Sequence, residues 1–403
     1  MKKLGLGVFI LLALMLVLTL SFSPYVKLAT AAEKELEIGG IFGLSGPGSE
    51  SFSRIYDGTK AGAAWINDKG GLTIKGEKYL IKIIGEDSKM SPDGMIAAAN
   101  KLVFQDKVKF MIQGVPIPPF KAAISKILED NKVLSVQNDG IGVNSEFSPQ
   151  ISYAFGTMTA RSAYDVGWAN FVKLYPKAKT VVIVAPEDPA TIEDAQYLGD
   201  AAKAHGLKVI GEEHYPFGTA DFYPMWTKIM TLKPDVLASS AGLPEWIGGV
   251  VKQGRELGFK GPFCLIMLGA DPNVIIKIAG DKYATDIFST NFDYTSEKMP
   301  PMVKEIARVI KQKIGAEITA DSFMAFEAIW VLAQAIQHAQ SLDPTVVKNA
   351  FEKMTKIDTP TGPGKLGGLK TYGVNHIVTR SYPLLKIMNG KIEQLGWAEP
   401  VLP

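Results

Sequence analysis

The sequence predicts an α/β protein built from two doubly wound, mostly parallel sheets. Three observations carry this. From residue 37 to about 141, short apolar runs alternate with stretches of helical periodicity, the pattern of successive βα units. The alternation restarts near residue 156 and continues to about 291, so two arrays of similar size follow one another. The tail differs: residues 377–388 and 391–395 flank Asn389-Gly390, a two-residue hairpin signal.

The first unit is IGGIFGLSGPGSESFSRIYDGTKAGAAWINDKGGL, residues 38–72. It reads as a buried strand (37–44), a Gly/Pro/Ser loop (45–53), a helix (about 54–68) and a Gly70-Gly71 stop. The loop thus stands at a strand's carboxyl end, the edge at which open α/β sheets bind ligands. Residues 78–85 form a second strand. Ser91-Pro92 then reads as an N-cap with proline at the first helical position, before a face of Ile96, Ala99, Leu102 and Val103. A third strand (108–112) runs into Gly114-Val115-Pro116-Ile117-Pro118-Pro119-Phe120, where Pro119 suits the first turn of a helix to about 131. A fourth (133–137) ends in Asn138-Asp139-Gly140-Ile141.

In the second array a helix is capped near Thr159, and strands fall at 180–185, 207–213, 236–239 and 263–268 with helices between them. After 287–291 come two further helices. Val303, Ile306, Ala307, Ile310 and Ile314 make an apolar stripe on the first; the second, 321–340, is apolar nearly all round and so should be buried. A third starts at Asp343-Pro344.

The 403 residues suffice for two to three domains, and 47% hydrophobic with 21% charged residues is ordinary for a globular protein with a large core. Lys2 and Lys3, an uncharged apolar run over 4–20 and Ala29-Thr30-Ala31 form a secretory pattern, giving residues 1–31 as a cleavable signal peptide. No cysteine lies near the end of that run, so no lipid or other membrane anchor is expected after cleavage, and the expected location is a periplasm. Removing Lys2, Lys3 and Lys27 from 43 basic residues leaves 40 against 41 acidic ones, a balance that suggests neither nucleic acid nor an anionic membrane as partner. Cys264 is the only cysteine, which excludes an internal disulfide; its apolar surroundings read as core.

Enzyme motifs fail. Gly362-Pro363-Gly364-Lys365-Leu366-Gly367 fits G-x-G-x-x-G by letter, but it follows no clear strand, opens no helix and carries a proline where a pyrophosphate must approach; it reads as a flexible crossover segment. The four histidines lack metal-ligand spacing, and G-L-S-G-P is not a nucleophile elbow. No catalytic residue, cofactor or metal is expected.

The pieces LSGP (44–47), Gly58 before a small-residue helix, Ile66-Asn67 and Gly70-Gly71 stand at fixed spacing, and together they resemble the Leu/Ile/Val-binding family of periplasmic solute-binding proteins. The resemblance covers about residues 36–400. It implies the type I periplasmic binding protein plan: two lobes joined by three hinge crossovers, near Gly156, Asn291 and Asp358. Lobe 1 would be 36–155 plus 292–357, and lobe 2 would be 156–291 plus 358–403. It also implies a role as the substrate-binding component of an ABC importer, with a small-molecule ligand and an inner-membrane permease as partners. A ligand touching both lobes stabilises the closed form, because only there does it make both sets of contacts. A ligand-sensing partner of a membrane receptor would use the same clamshell.

The loops at strand ends supply the candidate ligand contacts: Ser45, Phe52, Pro116, Ile117, Pro118, Phe120, Asn138, Asp139, Ile141, Arg161, Asp188, Leu243, Glu245 and Asp271, with Tyr294 from a hinge segment. The family's amino-acid binders hold the ligand carboxylate with Ser and Thr, and its ammonium with an acidic residue of the second lobe. Counted without gaps from Gly114, that serine position falls at Pro118, the tyrosine positions near Ala190 and Gly242, and the acidic one near Leu268. Proline has no N–H to donate. The usual α-amino-acid clamp is therefore in doubt, although an ordinary branched-chain amino acid remains an alternative ligand.

What replaces the clamp is an apolar wall with polar groups at its edges. Arg161 lies in a helix's first turn, where a cation opposes the macrodipole; a bound anion would relieve this, and the other reading pairs it with Asp165 at i+4. Asp188, Glu245 and Asp271 either face ligand or cap helices. The expected ligand is a small, mainly apolar organic acid, with aromatic acids among the candidates.

Overall fold

The computed structural model describes residues 33–399, apart from 139, 141, 241, 267–270 and 295. The expected secretory segment, and Asp139 and Ile141 of the expected ligand contacts, lie outside the described residues.

The first array runs β1 (Lys34–Phe42), α1 (Ser49–Asp68), β2 (Leu72–Ile74), β3 (Glu77–Asp87), α2 (Pro92–Asn100), β4 (Phe110–Gly114), α3 (Pro118–Asp130), β5 (Leu134–Gln137) and β6 (Ala154–Gly156). The second runs α4 (Ala160–Leu174), β7 (Thr180–Pro186), α5 (Pro189–Ala204), β8 (Lys208–Tyr215), α6 (Tyr223–Leu232), β9 (Val236–Ser239), α7 (Pro244–Glu256), β10 (Phe263–Leu265), α8 (Pro272–Ala279) and β11 (Ile287–Ser289). Then follow α9 (Pro301–Ile314), α10 (Ala320–Ala339), α11 (Pro344–Phe351), β12 (Ile357–Thr359), β13 (Gly362–Gly367), α12 (Leu369–Tyr372), β14 (Ile377–Thr379), β15 (Tyr382–Met388) and β16 (Lys391–Ala398).

Two sheets result, each with a parallel centre. One has the order β12-β13-β14-β6-β5-β4-β1-β3-β2, the other β16-β15-β11-β10-β9-β7-β8. Antiparallel pairs fall at the margins: β2 on β3 and β12–β13–β14 in the first, β11–β15–β16 in the second. The central strands are apolar on both faces because helices cover both. In β7, Val181, Ile183 and Ala185 enter one core cluster while Val182 and Val184 enter the other, the two-residue alternation of a pleated strand. In β1, Ile38 and Phe42 face α1 and α10, and Ile41 faces α2 and α3.

α10 is buried nearly all round, as its composition predicts, because it lies across α1 while α11 packs on it. The small residues of α1 permit that approach: a Cβ on Gly58 would come within 2.0 Å of the Ser322 carbonyl oxygen, and one on Gly62 within 2.4 Å of Ile329. α1 begins at Ser49, earlier than its apolar pattern suggests, because Gly48 takes a left-handed conformation (φ 78) and starts the helix.

Three expectations for the tail need correction. The third crossing was placed near Asp358, yet β12, β13 and β14 all lie in the first sheet, with Ile377 paired to Gly156. The chain reaches the second sheet only at Tyr382, so the crossing is at 380–381. Accordingly 377–379 does not belong to the hairpin, which is β15–β16 turning at Asn389 (φ 48) and Gly390 (φ 71). The G-x-G-x-x-G segment is strand β13, not a flexible crossover. Its glycines and proline hide β character, and it holds its place by pairing on both sides.

Candidate functional site

The carboxyl ends of the parallel strands in the two sheets face one another, and their rims touch. Ser51 Oγ, in the first turn of α1, donates to Glu245 Oε1 of α7 at 2.8 Å, and Leu243 packs against the first sheet's core. Buried polar groups collect behind this contact.

From the first sheet comes Asn138, directly after β5. Its carbonyl accepts from Thr157 Oγ1 at 2.9 Å, but both atoms of its fully buried side-chain amide lack a protein partner. The loop beyond it is fixed from below. Lys121 of α3, only 2% exposed, donates to Gln137 Oε1 (2.9 Å) and Glu146 Oε1 (2.6 Å), while Glu146 Oε2 accepts from the Gly142 (2.7 Å) and Val143 (3.3 Å) amides. A lysine so deep is stable only because its charge is paired and hydrogen-bonded.

From the other side comes Arg161. Thr159 caps α4 and Arg161 follows in the first turn. Its guanidinium carbon lies 3.4 Å from the centre of the Tyr197 ring and 5.5 Å from that of Tyr372. Tyr372 in turn donates from its hydroxyl to the Gly142 carbonyl at 2.8 Å. Arg161 Nη1 is buried with no protein partner. The alternative partner, Asp165, is exposed and pairs with His205 Nε2 at 2.8 Å. Deeper on this side Tyr164 donates to the Asp194 carboxylate, 2.7 Å from both oxygens. Burial pushes the Asp194 carboxyl well above the usual range, with the Tyr164 hydrogen bond opposing. The hydroxyls of Tyr215 and Tyr294 are buried without partners, and burial pushes both phenols up.

The structure divides the expected contacts. Asn138, Arg161, Glu245 and Tyr294 each carry a buried polar atom with no protein partner. Half-buried Pro116 and Ile117 lie between β4 and α3, buried Pro118 opens α3, and half-buried Phe120 packs on the α2–α3 core. Others are committed elsewhere. Ser45 is exposed, and its hydroxyl donates to Asp87 Oδ2 at 2.5 Å, so it shapes the loop. Phe52 belongs to the core beneath α1. Asp188 caps α5 through the Ala190 and Thr191 amides. Asp271 caps α8, its second oxygen 3.5 Å from the Ala320 amide; burial raises its carboxyl. Sequence reasoning missed Tyr197, Tyr215 and Tyr372, which lie inside a helix, at a strand end and in the tail. Among the described residues no group of three or more His, Cys, Asp or Glu could hold a metal.

A family model described as periplasmic binding protein matches residues 35–391. Leu/Ile/Val-binding protein homolog 3 of Brucella melitensis is 26% identical over 392 residues, covering 94% of this chain and 98% of the relative. Among solved structures, the substrate-binding protein LivJ of the branched-chain amino acid transporter from Streptococcus pneumoniae, in complex with isoleucine, superposes with TM-score 0.75 at 19% identity, over 91% of this chain and 100% of that one. An ABC-transporter solute-binding protein from R. palustris in complex with benzoate gives TM-score 0.74 at 16% identity, over 92% and 98%. With two doubly wound sheets and a match along most of its length, the chain belongs to the periplasmic binding protein family, has the type I fold, and is a solute-binding protein rather than an enzyme.

Proposed function

We propose that this chain is the periplasmic substrate-binding component of an ABC importer, closing on a small, mainly apolar organic acid whose carboxylate is taken by Arg161. The observation that carries this reading is the Arg161 guanidinium, stacked on Tyr197 with a buried Nη1 that no protein group satisfies. Stacking fixes the plane of the fork, so its hydrogen bonds to a carboxylate cost little ordering. The first-lobe wall supplies Pro116, Ile117 and Pro118 where a serine and its neighbours would grip an amino acid. Apolar area covered there contributes about 25 cal/mol per Å².

The benzoate complex of one relative of the same fold shows that such a frame accommodates an aromatic acid; the isoleucine complex of another shows that it accommodates an amino acid. The two lobes turn about the crossings, and secretion by the segment 1–31 and delivery to a membrane permease belong to the same reading. Thermal unfolding with benzoate-type acids and with leucine, isoleucine and valine tests it. The expected result is a higher midpoint with the ring acids, since a ligand that binds only the folded form stabilises it by about 2.7 kcal/mol at a hundredfold excess over Kd. Stabilisation by the branched amino acids alone would overturn it.

A further inference from the structure

An anchor at Arg161 leaves the opposite end of the cleft unassigned. Glu245 stands in the first turn of α7 and reaches the other lobe, its Oε1 accepting from Ser51. Its Oε2 is buried with no protein partner. An ionised carboxylate oxygen can only accept, and leaving one buried and unsatisfied is costly. The fully buried Asn138 amide, unpartnered at both atoms, is a second group that asks for a polar ligand.

The two ends are separated. Arg161 sits by Tyr372, which bonds Gly142 in the loop after β5; Ser51, the partner of Glu245, stands on the helix after β1. β4 lies between β5 and β1, so the two ends stand over strands two spacings, about 10 Å, apart. An α-amino acid carries both charged groups on one carbon and cannot touch both ends. An acid with a donor on the far side of a ring can.

We propose that the ligand is two-ended: a carboxylate at Arg161 and, a ring's breadth away, a hydroxyl or amino group donating to Glu245 Oε2. This rests on the reading of Arg161 as the anchor and adds the substituent. Because Glu245 meets Ser51 across the rim, the donor is read only with the lobes together, which couples recognition at this end to closure.

Calorimetric titration of the full mature chain with benzoate, 4-methoxybenzoate, 4-hydroxybenzoate and 4-aminobenzoate tests it. The methoxy compound fills the space without donating. Wild type should prefer the hydroxy and amino acids over the methoxy acid by roughly tenfold or more. Glu245→Gln, which keeps a carbonyl for Ser51 and presents an amide donor in place of the acceptor, should lose that preference. Equal wild-type affinities for the donor and methoxy acids overturn the inference, as does an undiminished preference in the variant. If the ring acids bind through Arg161 without preferring a donor, only this inference fails. If none binds, the anchor reading fails with it.

Discussion

Arg161→Gln is expected to weaken binding of the ligand acid by roughly a hundredfold to a thousandfold. A carboxylate buried in the closed cleft and stripped of its cation costs about 3–5 kcal/mol, with 1.4 kcal/mol for each factor of ten. Arg161→Lys should fall between, because it keeps the charge and loses the planar fork that rests on Tyr197. The ligand-free protein should not suffer equally. Nη1 has no protein partner, and the cation stands in the first turn of α4, where it opposes the helix dipole. Removing it is expected to leave stability level or slightly higher by urea unfolding, against the lost contact with Tyr197. Loss of affinity at kept stability is the mark of a residue placed for ligand. Equal affinity in wild type and Arg161→Gln would remove Arg161 from the site.

Arg380→Met is expected to destabilise the fold by about 3–5 kcal/mol, because it strands the Glu327 charge in the interior. Arg380 occupies the crossing from β14 to β15. Its Nε and Nη2 grip Glu327 of α10 at 2.6 and 2.7 Å, and both side chains are at most 2% exposed. Burial pushes the Glu327 carboxyl up, and the guanidinium opposes this. The double variant Glu327→Met with Arg380→Met should recover much of the loss, since two apolar side chains need no desolvation of charge. Urea unfolding of the three variants measures it. A single-variant loss below about 1 kcal/mol would place the pair among surface-like ion pairs and contradict its role in fixing the crossing.

How much of this was legible follows from the range of the interactions. The central strands announce themselves by valine and isoleucine runs, and Asn389-Gly390 fixed its hairpin because that signal is local. β13 was illegible because GPGKLG has no strand propensity and is held in place by pairing with β12 on one side and β14 on the other. The partner of Ser45 was illegible too: Asp87, which takes its hydroxyl, is 42 positions away. Asp188 and Asp271 sit before Pro189 and Pro272, a pattern that serves a cap as readily as a ligand, and the amides took them. Arg161 carries a legible mark, a charge that is wrong for its helix position. Tyr197 does not, since a tyrosine in mid-helix carries no mark of the arginine it will support.

The most direct test is a crystal structure of the protein with the ligand that stabilises it most in thermal unfolding. The carboxylate is expected within hydrogen-bond distance of Arg161 Nη1, with the ring between the Pro116–Pro118 wall and the second lobe. An α-amino acid held by its ammonium and carboxylate away from Arg161 would contradict the account.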